Sequence, residues 1–162
     1  MKTTFSTLTL TAALLAATAT AQAQVTVQGA WVRATVPQQK ATGAFMRLQS
    51  TKDTRLVSVS TPAAPIAEVH EMKLVDNVMK MRAVNSVDVP AGKPVDLQPG
   101  GFHVMLMDLP AAVKQGDTVP LTLVFEGKDG QRETVQVQAQ ARAVGAAAPA
   151  AGHGDHGGAH KH

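Results

Sequence analysis

Cysteine and tyrosine are absent from this chain, and its aromatic residues stop at one tryptophan and four phenylalanines. Without thiols there is no disulfide staple, no thiolate nucleophile and no blue-copper site, which requires a Cys ligand. Charge is sparse as well: 17% of residues are charged and the formal net charge is +3. With no basic run and no aromatic platform, a nucleic-acid partner is not expected. Enzymatic signatures are missing too. There is no His-Glu-x-x-His helix and no glycine-rich phosphate loop, and the carboxylates are scattered among turns and strand faces, so no catalytic role is expected.

Long apolar runs are also lacking, with one exception near the N-terminus. Lys2 precedes a Leu/Ala/Thr-rich stretch from Phe5 to Ala21 that closes on Ala21-Gln22-Ala23, the layout of a secretory signal peptide with a small-x-small cleavage site. Residues 1–23 are therefore expected to direct export, with a bacterial periplasm as the natural destination. The run is short of the ~20 apolar residues a membrane span needs, so the mature form is expected to have none. Export gives the missing cysteine a meaning. In an oxidising compartment thiols tend to be lost to disulfides, whereas the methionine thioether needs no deprotonation and cannot pair.

Residues 24–142 read as one domain of ordinary size. Short apolar runs alternate with Pro/Gly/Asn/Asp breakers, and little could be helix. Nine strands are predicted: 25–32, 44–49, 55–60, 67–75, 78–86, 95–97, 103–109, 118–126 and 132–140. Such spacing predicts an all-β sandwich or barrel. Val119, Leu121, Leu123 and Phe125 on one strand, and Val135, Val137 and Ala139 on the next, mark inward faces, with a hairpin turn at Asp129-Gly130 between them. Trp31 is expected to be a core anchor, as a lone tryptophan in a Phe-poor domain usually is.

The chemistry concentrates between His70 and Met107, which holds five of the seven methionines and both histidines outside the C-terminal segment. Asp76-Asn77 separates two apolar runs and predicts a tight hairpin. Centred there, it sets Val75 opposite Val78, Leu74 opposite Met79, Met72 opposite Met81 and His70 opposite Ala83. Glu71 and Arg82 pair on the other face. By alternation, His70 and Met81 share a face and lie diagonal to each other. His103 and Met105 share a face on a later strand, so packing the two segments together would close a four-coordinate pocket. A single His or Met is an ordinary core filler, but so many gathered on short strands argue against filler alone. Two imidazoles and two thioethers form a soft, neutral donor set that suits Cu(I). The pattern leaves open whether Met72, Met79 or Met107 substitutes for one of them.

His70, ten residues, Met81, twenty-one residues, His103, one residue, Met105: this spacing resembles the signature of the periplasmic copper chaperones called PCu(A)C. AWVRATVP from Ala30, TGAF from Thr42, VMKMR from Val78 and LQPGGFHVMLMDL from Leu97 resemble that family too, over about residues 25 to 140. The resemblance implies a cupredoxin-like Greek-key β-sandwich or barrel. It also implies Cu(I) carriage for assembly of the CuA centre of cytochrome c oxidase, with oxidase subunit II or a Sco-type copper protein as transient acceptor. Copper storage, resistance or general trafficking is the alternative, and a metal-free β-sandwich interaction module a remoter one. The chain departs from the family in residues 143–162, a segment only some members carry. There Ala, Gly and Pro surround His153, His156, His160 and His162, an imidazole-rich composition that predicts a flexible tail with a second, Cu(II)-binding site.

Overall fold

The computed structural model describes residues 24–143. The expected signal peptide, residues 1–23, and the four tail histidines lie outside the described residues. Period-two burial is clearest in the two C-terminal strands, and the described residues form ten strands and no helix. They are β1 (Val25–Arg33), β2 (Ala41–Ser50), β3 (Thr54–Ser60), β4 (Ile66–Val75), β5 (Val78–Ala83), β6 (Val87–Val89), β7 (Val95–Leu97), β8 (Phe102–Met107), β9 (Thr118–Gly127) and β10 (Arg132–Arg142).

Hydrogen bonding places them in the order β5-β4-β8-β2-β1-β10-β9-β3-β6, with β7 also paired to β2. The parallel pairing of β1 with β10 joins two otherwise antiparallel halves. The sheet curls on itself, because the inward residues of both halves form one apolar cluster. Val32, Ala44, Leu48, Val69, Val104 and Leu106 from one half meet Leu56, Val87, Leu121, Leu123, Phe125 and Ala139 from the other. Burying each Leu or Phe fully is worth about 1.5–3 kcal/mol. The β9–β10 hairpin forms as predicted, Glu126 opposite Arg132 and Val119 opposite Ala139.

Two expectations fail, each for a local reason. The strand expected over 78–86 ends at Ala83, and Val84 N–H turns back to the Val69 carbonyl at 2.9 Å. The chain then crosses to pair Val87 and Val89 with Leu56 and Thr54 of β3. Val87–Val89 thus forms β6, a tenth strand that the continuous run to residue 86 and the break at Pro90 had concealed.

Trp31, expected in the core, lies on the outer face instead. Val25 and Val27 point inward, and unbroken alternation would send Trp31 the same way. Gly29, at φ 61°, sits in a bulge between Gln28 and Trp31. The extra residue flips the parity, so Ala30 and Val32 take the inward positions and Trp31 is re-aimed outward.

Candidate metal centre

The hairpin register is the one the turn predicts: His70 faces Ala83, Met72 faces Met81, and Glu71 faces Arg82 with a 2.8 Å ion pair. Asp76 and Asn77 both have positive φ, 52° and 59°, as a two-residue turn of the type matching strand twist requires. The second half of the site arrives differently from expectation. Instead of packing against the hairpin, β8 is hydrogen-bonded beside β4 in the same sheet, with His70 opposite His103 and Glu68 opposite Met105. All four predicted residues therefore lie on one face of three adjacent strands, β5-β4-β8. That face is the outer one, since Val69, Val104 and Leu106 fill the inner.

Exposure grades the four. His103 is 5% exposed although it is on the outer face, whereas Met81 on the edge strand β5 is 50% exposed. Met72, Met81, His103 and Met105 line a hollow of about 260 Å³, together with Gly43 and Phe45. A larger hollow of about 490 Å³, lined by charged residues such as Asp53, Arg55, Glu126 and Lys128, is formed around β3 and β9 and holds no thioether or imidazole.

Each imidazole is held by one nitrogen. His103 Nδ1 lies 3.0 Å from the Gly101 carbonyl; a carbonyl only accepts, so the proton is on Nδ1 and Nε2 carries the free lone pair. Gly101 O also accepts from Met72 N–H at 3.1 Å, tying β4 to the approach of β8. A turn places that carbonyl, with Pro99 at its second position and Gly100, φ 86°, at its third, closed by Gly101 N–H to Gln98 O. His70 Nε2 lies 3.1 Å from Glu68 Oε2. Its Nδ1 is buried and has no hydrogen-bond partner, a state that costs about 1–3 kcal/mol unless something binds there. The two ring centroids are 6.0 Å apart. Two imidazoles each bound through nitrogen at ~2.0 Å to a shared ion have centroids roughly 5 to 6 Å apart. Among the described residues no three His, Cys, Asp or Glu side chains cluster to hold a metal, so an ion held here would need the thioether sulfurs as well.

Sequence reasoning missed the support around the four. Glu68 has the parity of His70, so alternation alone could have flagged it. Phe45 flanks His103 at 6.3 Å between centroids and stacks on Trp31 at 4.4 Å. Arg33 lies over Phe45 at 5.6 Å and Arg142 over Trp31 at 5.5 Å. This row crosses four strands of the outer face, and its Arg33 and Phe45 line the hollow beside His103. It needs Gly43, where an added Cβ would meet Phe45 Cζ at 2.7 Å. Nothing in the sequence marks these pairs, because strand order brings them together.

Comparison with known proteins adds kinship to the geometry. The sequence model of the LpqE-like lipoprotein family matches residues 25–140. The chain belongs to the LpqE-like family. This LpqE-like chain is 31% identical over 114 residues to the Leifsonia xyli subsp. xyli lipoprotein Lxx21020, an alignment spanning 70% of this chain and 68% of that protein. Among solved structures it is similar to apo-DR1885 from Deinococcus radiodurans, at 33% identity and TM-score 0.53, over 88% of this chain and 97% of that one. The Cu(I) form of DR1885 matches at the same identity and TM-score, over 78% and 83% of the two chains. The apo PCuAC domain from PmoF1 shares the fold at TM-score 0.61 and 24% identity, over 75% of this chain and 96% of that domain. The structural neighbours are thus PCuAC domains, and the LpqE-like chain shares their cupredoxin-like β-sandwich.

Proposed function

We propose that this LpqE-like protein is a copper metallochaperone of the bacterial envelope that carries Cu(I) on His70, Met81, His103 and Met105. One observation carries the reading: two imidazoles, each pinned through one nitrogen, share an outer sheet face with two thioethers, and the inner nitrogen of His70 is buried without a partner. The donor set is soft and neutral, which favours cuprous ion. Similarity to DR1885, solved with Cu(I), supports the same cargo. The lipoprotein names of the family and of the Leifsonia relative support placement in the envelope, in keeping with residues 1–23 as an export signal and 24–142 as the carrier domain.

Exposure sets the order of exchange. Met81, half exposed on an edge strand, is the ligand an acceptor reaches first, and buried His103 the one released last. A site that loses ligands stepwise from its open side passes its ion without ever freeing it. Delivery towards the CuA centre of cytochrome c oxidase, through subunit II or a Sco-type protein, rests on the resemblance to PCu(A)C. The tail of residues 143–162, through His153, His156, His160 and His162, is proposed to bind Cu(II), which nitrogen-rich sites accept.

The test uses protein truncated after Arg142, titrated with each ion separately. One equivalent of Cu(I), with sulfur and nitrogen scatterers in X-ray absorption, is expected, together with loss of the second, Cu(II) equivalent that the full chain takes. Only nitrogen and oxygen scatterers in the Cu(I) form would sink the pocket. A truncated protein that keeps that Cu(II) equivalent would sink the tail.

A further inference from the structure

We infer that Glu68 is a positioning residue for the metal centre: its carboxylate orients the His70 ring so that Nδ1, rather than Nε2, faces the ion. The inference rests on the reading of His70 as a copper ligand. Glu68 and His70 are two apart on β4 and so project from the same outer face. Glu68 Oε2 lies 3.1 Å from His70 Nε2. An ionised carboxylate can only accept, so the proton of the neutral ring sits on Nε2 and the lone pair on Nδ1. That Nδ1 is the buried side-chain polar atom left unpartnered among the described residues. The nitrogen a metal uses is set by the hydrogen bond the other nitrogen makes.

The two imidazoles are therefore mounted in opposite senses. His103 is held at Nδ1 by the neutral Gly101 carbonyl and offers Nε2, whereas His70 is held at Nε2 by a carboxylate and offers Nδ1. A hydrogen-bond partner behind a ligating imidazole fixes its tautomer and ring orientation, and here the two rings have partners of different charge. Glu68 stands on the solvent side of the ring, its side chain 48% exposed against 12% for His70. It therefore acts on the ion through His70 while remaining in water itself.

The experiment loads nitrogen-labelled full-length protein with one equivalent of Ag(I), a soft, redox-inert stand-in for Cu(I), and reads one-bond silver–nitrogen couplings. Coupling is expected at His70 Nδ1 and His103 Nε2. Coupling at His70 Nε2 overturns the inference and leaves the four-residue site standing, whereas coupling at neither histidine overturns the site itself. In parallel, Glu68→Ala should weaken Cu(I) about 10- to 100-fold, the usual effect of losing a partner behind a metal ligand, with the unfolding midpoint of the metal-free protein unchanged. Glu68→Gln, which keeps an acceptor oxygen at the same reach, should fall between the two. Wild-type affinity in Glu68→Ala, or a Gln variant no better than Ala, would refute the hydrogen bond as the cause.

Discussion

Replacing Met81 by Leu separates a ligand from a packing residue. Met81 lies on β5, all six of whose residues are exposed, and is itself 50% exposed. A Met-to-Leu swap nearly conserves volume and costs under ~1.5 kcal/mol even in a core; at a half-exposed edge position the change should stay within about 0.5 kcal/mol. Losing a thioether from a four-donor site should cost at least the ~10- to 100-fold in affinity that loss of a partner behind a ligand costs. That range is about 1.4–2.7 kcal/mol of binding free energy. Binding should therefore fall several times more than stability. Met46→Leu is the control: Met46 is 4% exposed on the inner face, so it should change stability by up to ~1.5 kcal/mol and leave Cu(I) affinity untouched. Affinity is read by competition with a chromogenic Cu(I) chelator under anaerobic, reducing conditions, and stability by urea unfolding of the metal-free protein. Unchanged affinity in Met81→Leu, or losses of equal size in binding and stability, would refute the assignment.

Three further outcomes are expected. Gly43→Ala drives a methyl group into a Phe45 ring that is itself 4% exposed and stacked on Trp31, so urea unfolding should show a loss of about 1–3 kcal/mol; a neutral result would mean that Phe45 can leave the outer face freely. Asn77→Gly, at φ 59°, relieves a left-handed residue and should raise stability by up to ~1 kcal/mol, whereas Asn77→Ala should lower it. The Asp53 carboxyl is held below its usual range first by the Ala91 N–H and then by Lys128, and that of Glu126 by Arg55 and Arg132. Both are depressed, so the stability they contribute is present above the ordinary carboxylate range near ~4 and is lost as pH falls through the lower folded values. Unfolding midpoints should drop across that acid window, and less steeply in Asp53→Asn; identical slopes would show that the Asp53 pairing contributes nothing.

The hairpin was legible in the chain because every determinant of it is local. Asp76-Asn77 supplies the turn, and once its centre is known each cross-strand pair follows by counting, down to Met72 opposite Met81 and Glu71 opposite Arg82. The faces of β9 and β10 were legible for the same reason, since unbroken alternation needs no knowledge of the partner strand. Alternation also explains the failures. At Gly29 one extra residue inverts the parity, and Trp31, expected in the core on the burial tendency of a lone tryptophan, turns outward. The signal was a lone glycine in a strand, which marks a bulge as often as a weak strand.

What the sequence by itself determined, then, is the set of side chains each strand presents to one face: His70 with Met72, Met79 and Met81 on the hairpin, His103 with Met105 on β8, and a soft donor set with no thiol. What only the tertiary structure decided is which strands stand side by side. Placing β8 next to β4 sets His103 opposite His70, puts Gly101 O within reach of both Met72 N–H and His103 Nδ1, and leaves the inner nitrogen of His70 without a partner. Placing β2 and β1 beyond them brings Phe45 beside His103, with Trp31 packed behind it. Strand order is set by how the whole apolar inner face closes into one core, a sum over residues far apart in the chain, and no local pattern carries that sum.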